Sequence, residues 1–259
     1  MAKDQDDNEK GQIPTNLRLL YVLEEIARAG RPVLPASLGE NLDLPKPTIH
    51  RLLQTAEAEG FLQRDVDGRS YGPGRRMRLL ASNTLSSERV RSERLRVMKA
   101  LAQEVGETCN LSAPGRDGMV YLDRVETHWP LRIQLPIGTL VPFHCTASGK
   151  MYLSSLRTEK LGRLLASLPL EPETDRTEID QDKLMQEARQ TRSNGYATDD
   201  QEFMEGMAAI AVPIKDDHAR LLSTLSIHAP VQRHDVESLL QFLPQLQLAA
   251  QRLEDLALG

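Results

Sequence analysis

Apolar residues along this chain follow two different periods, and the change from one to the other marks its organisation. Over 17–27 they stand at 19, 20, 22, 23, 26 and 27, a helical stripe. Thr15 or Asn16 is placed to cap its start, and Gly30 sits where it should stop. Residues 34–42 predict a second short helix, Leu44-Pro45 a break, and 46–59 a third helix. Pro47 suits the first turn of that helix, where its missing N–H would have had no intrahelical partner, and Gly60 ends it. The period then shortens. Segments 61–64 and 69–71 flank Asp65-Val66-Asp67-Gly68, and Asp-Gly between extended segments signals a hairpin. Three helices and a hairpin predict a winged helix-turn-helix.

Further on, 88–105 predicts an amphipathic helix with Val90, Val97, Met98, Leu101 and Val105 on one stripe. Packing on its own domain and packing on a partner subunit are equal readings of that stripe. Strand-like patterns follow at 109–113, 119–125 and 131–135, then helices at 147–157, 158–167 and 181–193. Two more strands are expected at 207–215 and 220–228, with Asp216-Asp217 at the turn. The last helical region, 235–258, contains Pro244, which predicts a kink or a fresh start there. This order implies an α+β domain with helices against a mostly antiparallel sheet.

The chain has 259 residues, suited to one large or two ordinary domains, and its 40% hydrophobic content suffices for packed cores. No apolar run approaches the roughly 18 residues a membrane span needs. The polar start is unlike a signal peptide, and two cysteines, Cys109 and Cys145, make no disulfide framework. The expectation is a cytoplasmic protein with no membrane partner. The net charge of −5 is unevenly spread. Residues 14–105 hold 15 Lys/Arg against 11 Asp/Glu, whereas 106–259 hold 15 against 22. Nucleic-acid binding therefore belongs to the first hundred residues, where the excess of positive charge favours phosphates.

In a winged helix-turn-helix the third helix lies in the major groove with its N-terminal residues near base edges. That places Lys46, Thr48, His50 and Arg51 nearest double-stranded DNA, with Gln54 one turn on, while Ile49, Leu52 and Leu53 face the core. Thr48 can donate to a base edge or phosphate, Arg51 can clamp guanine or phosphate, and Arg69 of the wing can reach backbone or minor groove. A winged domain used only for protein contact is the competing reading, and a surface histidine without a role serves equally well for His50. Catalysis is not expected. His144-Cys145 are adjacent, so in an extended segment they point to opposite faces and make no thiolate–imidazole couple. No nucleophile elbow or phosphate loop occurs. His144, Cys145 and His228 could converge on a soft metal such as zinc, but they are not at a recognised spacing, so neither metal nor cofactor is expected.

The segment Lys46-Pro47-Thr48-Ile49-His50-Arg51-Leu52-Leu53, with the wing behind it, resembles the helix-turn-helix of IclR-type bacterial transcriptional regulators. There a Lys-Ser-Thr-Val-His-Arg-Leu-Leu stretch is typical. Pro47 replaces the usual serine and removes a hydroxyl and an N–H that could touch a phosphate. Two further segments resemble that family's effector domain, whose fold is GAF-like. One is Pro142-Phe-His-Cys-Thr-Ala-Ser-Gly-Lys150; the other is Gly195-Tyr-Ala-Thr-Asp-Asp-Gln-Glu-Phe-Met-Glu-Gly206 with the two strands after it. The resemblance covers about residues 14–257.

It implies a tail at 1–13, expected to be disordered, a winged helix-turn-helix at 14–80, a linker helix at 81–105 and an effector-binding and oligomerisation domain at 106–259. It further implies a homodimer or dimer of dimers that binds operator DNA and holds a small carboxylate or aromatic effector. Ala147, Ser148 and Gly149 would supply backbone N–H groups, and Asp199 would accept or orient through its carboxylate. Ala209 would line the pocket, and Ser226 and His228 would point in from the last strand. Members that bind small keto acids often carry a thiol at the position of Ala209 and a hydroxyl at that of His228, so the larger acids fit better here. A protonated His228 would suit an anion. The competing readings are that Ser226 and His228 simply alternate on a sheet face, and that the second domain only oligomerises a constitutive DNA-binding protein.

Overall fold

Val22 and Ile26, one helical turn apart, meet Leu38, Ile49, Leu53, Leu62 and Tyr71 in the core that folds the N-terminal third of the chain. The computed structural model describes residues 13–258 except 66, 86, 87 and 133, and describes side chains outside 82–85, 88–90 and 258. The expected tail, 1–13, thus lies outside the described residues but for Ile13. Two compact units form, Met1–Ser87 and Glu88–Gly259.

The first unit contains α1 (Arg18–Ala29), α2 (Pro35–Leu42), α3 (Lys46–Ala58), β1 (Leu62–Arg64), β2 (Tyr71–Pro73) and α4 (Arg75–Leu85). Neither Thr15 nor Asn16 caps α1. Leu17 is the N-cap without a side-chain bond, and a turn from Leu17 N–H to the Pro14 carbonyl (2.9 Å) enters the helix instead. Gly30 ends it at φ +60°. Asp43 takes the left-handed conformation between α2 and α3, a single-residue corner that sets the turn of the motif. Strands β1 and β2 pair antiparallel, and Val33 bridges to Tyr71. The sequence pattern did not reveal α4. A Cβ at Gly74 would stand 2.4 Å from the Gly60 carbonyl oxygen, so only glycine lets the chain pass there into α4.

In the second unit α5 (Glu88–Val105) leads to a six-stranded sheet: β3 (Thr108–Pro114), β4 (Met119–Val125), β5 (Leu140–Val141), β6 (Ala197–Asp200), β7 (Met207–Lys215) and β8 (Leu221–Pro230). Their spatial order is β5-β4-β3-β8-β7-β6, with every neighbouring pair antiparallel. The expected strand at 131–135 is not there. Residues 131, 132, 134 and 135 carry no regular structure, and β5 takes the edge beside β4. Pro130 and Pro136 bracket that segment and offer no N–H to a ladder. Gly138, at φ +87°, then turns the chain so that its N–H binds the Tyr121 carbonyl. Strand β6 is additional to the expected set.

Three helices, α6 (Ala147–Ser155), α7 (Thr158–Ser167) and α8 (Gln181–Asn194), cover one face of the sheet. After a short helix, α9 (Val236–Leu239), Pro244 falls in the first turn of a fresh helix, α10 (Leu243–Leu258). Here Cys109, Leu111, Ile210, Val212, Leu225 and Ile227 pack on Met98 and Leu101 of α5 and on Leu246 and Leu253 of α10. Each such buried leucine contributes roughly 1.5–3 kcal/mol. The stripe expected on α5 is therefore used within its own unit; Val90, part of that expectation, lies outside the described side chains. Asp123, fully buried on β4, accepts from Arg91 (2.8 Å) and from Arg94 (2.6 Å), which ties α5 to the sheet by charge as well as by packing. Among the described residues no helix is long and apolar enough to cross a membrane.

Candidate functional site

On α3 the helical period separates two faces. Ile49, Leu53 and Ala56 are buried and Leu52 packs half-buried against the same core, while Lys46, His50, Arg51 and Gln54 are exposed and Thr48 is half-buried. The wing places Arg69 at its exposed tip. Asp67 shapes that tip, its carboxylate accepting from the N–H groups of Arg69 and Ser70, each at 2.8 Å. Those bonds hold the Asp67 carboxyl below its usual range, with the Ser70 hydroxyl contributing most. Nearby arginines are engaged: Arg64 pairs with Glu57 and lies over the Tyr71 ring, and Arg76 pairs with Glu59 and lies over the Phe61 ring. Among the described residues no carboxylate pairs with Lys46, Arg51 or Arg69. Their charges face outward, as phosphate contact requires.

Strand register assembles the second site. Asp199 on β6 stands opposite Ala209 on β7, Ala209 opposite His228 on β8, and His228 opposite Thr108 on β3. The next row runs Ala197, Ala211, Ser226, Asn110, Arg124. Side chains two apart on a strand share a face, so the two rows form one surface, beneath α6. Ala147, Met151, Ala197, Ala209 and Ala211 pack together there, which puts the start of α6 over β6 and β7. Ser226 Oγ lies 2.9 Å from His228 Nε2 and 3.4 Å from the Asn110 carbonyl oxygen. Ser226 and His228 thus belong to a connected buried surface.

That surface contains groups the sequence reading did not select. Arg124 donates to Asn110 Oδ1 (3.2 Å) and to Glu126 (3.1 Å). The Tyr121 ring meets the His228 ring edge-on at 6.5 Å. Asn110 Nδ2, Ser112 Oγ and Thr224 Oγ1 are fully buried with no hydrogen-bond partner in the protein. The alternation Thr108, Asn110, Ser112 between Cys109, Leu111 and Ala113 was the available signal; it reads as an ordinary solvent face until helices cover it.

Two expectations change. Gly149 does not offer its N–H, which donates to the Thr146 side chain (3.0 Å) in an N-cap. Its role is close approach: a Cβ there would meet the Phe143 carbonyl oxygen at 2.3 Å. Ala147 and Ser148 remain as the first-turn N–H groups. His228 is neutral rather than protonated, since burial first and then the Arg124 charge push its pKa down to about 3.

Charge at the other end of the surface is opposite. Asp199 Oδ1 accepts from the N–H groups of Glu202 (2.8 Å) and Phe203 (3.3 Å), yet burial and the Glu202 carboxylate raise its pKa to about 7. Lys150 of α6, buried, bridges Glu187 and Glu202. Burial opposes its charge, but those carboxylates more than offset this and raise its pKa. Burial pushes the Cys145 thiol up, and His144 Nε2 bonds the Glu171 carbonyl at 2.9 Å, so no nucleophile couple forms. Among the described residues no three His, Cys, Asp or Glu side chains gather to hold a metal.

Comparison with known proteins covers nearly the whole chain. Residues 82–255 match the family described as bacterial transcriptional regulator IclR C-terminal, and residues 17–66 match the IclR helix-turn-helix domain. The chain is 37% identical to the probable transcriptional regulator SauR of Cupriavidus necator, over 92% of this chain and 94% of that one. It is 29% identical to the transcriptional repressor IclR of Escherichia coli, over 86% and 82%. Among solved structures, a Rhodococcus regulator of the same type superposes with a TM-score of 0.68 at 23% identity, covering 98% of this chain and 97% of that one. The last likeness bears on the fold alone.

Proposed function

The chain belongs to the IclR family of bacterial transcriptional regulators, and from that premise we propose that a small organic or aromatic acid, bound on the polar sheet face under α6, controls its hold on operator DNA. Regulation of transcription by DNA binding, rather than catalysis, is the activity of this family. The sensing role rests on one observation above the others: Asn110, Ser112 and Thr224 bury polar atoms that nothing in the protein satisfies. Each such group costs ~1–3 kcal/mol, a cost that a packed oligomerisation domain has no reason to carry and a bound polar ligand removes. Asp199, Ser226 and a neutral His228 line the same face, and Ala209 adds an apolar surface to it, as suits the body of a larger acid.

For DNA, Arg51, Lys46, His50 and Gln54 of α3 enter the major groove, Thr48 contacts a base edge or phosphate, and Arg69 of the wing follows the backbone. A homodimer, or a dimer of dimers, presents two such helices to two half-sites. The ligand biases this only by binding two arrangements differently, so a tenfold change in operator affinity needs ~1.4 kcal/mol of coupling.

A thermal-shift screen of the purified chain against small organic and aromatic acids tests the reading. An effector at a hundred times its Kd should add ~2.7 kcal/mol to stability, and the hit should alter operator affinity. A flat screen, with tight and ligand-independent DNA binding, would replace sensing with a domain that only oligomerises.

A further inference from the structure

Resting on the acid-sensing reading above, we infer that Arg124 and Asn110 read the ligand's acid group. The effector is then a carboxylate with its charged end toward β4 and a hydrogen-bonding end toward Asp199. The other place for a carboxylate is the start of α6, where Ala147 and Ser148 carry first-turn N–H groups. Charge decides between them.

The α6 end of the surface is acidic. Asp199 is 4% exposed, and the Glu202 chain that donates to it carries its own carboxylate alongside. Lys150 is already shared between Glu187 and Glu202. An incoming carboxylate there would add a like charge where water is excluded, and charges repel most strongly in such surroundings. Two helix N–H groups answer that only in part.

The β4 end is cationic and rich in donors. The Arg124 side chain is 5% exposed, and its charge reaches across the surface far enough to depress His228. Its N–H on Asn110 Oδ1 fixes which end of that amide is oxygen, so the buried, unpartnered atom, Nδ2, is a donor that can only give hydrogen bonds. Guanidinium and amide N–H side by side match the two oxygens of a carboxylate. Glu126 does not cancel this, because it is shared with Arg132 at 2.7 Å. Arg124 also lines an open cleft of about 430 Å³ with Gln134, Leu135, Ile137 and the Arg132-paired Glu126, which gives an anion a way in. At the Asp199 end, a carboxyl raised to about 7 both accepts and donates near neutral pH, as suits a ligand hydroxyl or carbonyl.

Matched pairs of carboxylates and their primary amides, straight-chain and aromatic, of about three to eight carbons, test this by calorimetry on the full chain. Wild type should bind at least one carboxylate ten times or more tighter than its amide. Arg124→Gln should bring that ratio within threefold, and Arg124→Lys should keep part of it. Should Arg124→Gln not fold, Asn110→Asp carries the test: it sets a carboxylate beside the acid and should cost the acid at least tenfold while sparing the amide. A tenfold preference that survives Arg124→Gln or Asn110→Asp overturns this subsite and moves the acid to α6, leaving acid sensing intact. A wild type that binds amides as well as acids also overturns the subsite, and one that binds none of the probes overturns acid sensing with it.

Discussion

Charge reversal at Arg51, Arg51→Glu, is expected to weaken operator binding about a thousandfold while shifting the melting temperature little. Arg51 is exposed on α3, and its neighbours in the core, Ile49 and Leu53, are untouched by the change. Surface substitutions of this kind usually alter stability by within ~0.5 kcal/mol. At the DNA the loss is larger. A good guanidinium contact to guanine is worth ~1–3 kcal/mol, a carboxylate in its place meets phosphates of like charge, and the two-fold complex proposed above counts the change twice. Losing ~2 kcal/mol per subunit amounts to ~4 kcal/mol, or three orders of magnitude. Fluorescence anisotropy on a DNA fragment selected with the wild-type chain measures it, and the salt dependence should become shallower as phosphate contacts are lost. Near wild-type affinity would remove α3 from the groove.

The recognition helix was legible because a helical period writes its two faces directly into sequence order. Ile49, Leu53 and Ala56 had to be inside, so Lys46, His50, Arg51 and Gln54 had to be out. The wing was legible from Asp67-Gly68, because that turn chemistry is local. The polar sheet face under α6 was only partly so. Asp199, Ala209, Ser226 and His228 came from resemblance, and no local rule joins β6 to β8. Asn110, Arg124, Ser112 and Thr224 were missed since their meaning depends on register between strands far apart in sequence, β3 with β8 and β3 with β4. The strand expected at 131–135 failed for a related reason: its apolar residues suited a strand, but two prolines left the edge of β4 to Leu140 and Val141. His228 shows the same limit in electrostatics, because its state follows from burial and from Arg124, neither of which its neighbours in sequence announce.

Asp199→Asn should make the unliganded protein more stable at pH 8, by as much as ~4 kcal/mol, and should abolish the loss of stability that the carboxylate causes as pH rises. Burial and the Glu202 charge hold the folded carboxyl at about 7, against 3.8 for the ordinary group. Between those values the folded chain binds more protons than the unfolded one, so stability falls as pH rises through the window and the full penalty is present above it. Each unit is worth ~1.4 kcal/mol, and sharing of charge with Glu202 and Lys150 makes the total a ceiling. Asparagine keeps what the site needs structurally, since both backbone N–H groups, from Glu202 and Phe203, donate to the same Oδ1. It removes only the charge. Urea unfolding at pH 4.5 and pH 8 separates the cases: buried, neutral His228 adds stability to both proteins as pH rises, and the Asp199 carboxylate takes stability from wild type alone, so the gap in favour of the variant opens at the higher pH. Equal slopes for the two proteins would mean that Asp199 titrates normally and that its surroundings are wetter than their burial implies. A position where a one-atom change stabilises the fold is held against stability, and the gain should come with a blunted ligand response. On the proposed reading, the carboxyl group serves the ligand rather than the fold.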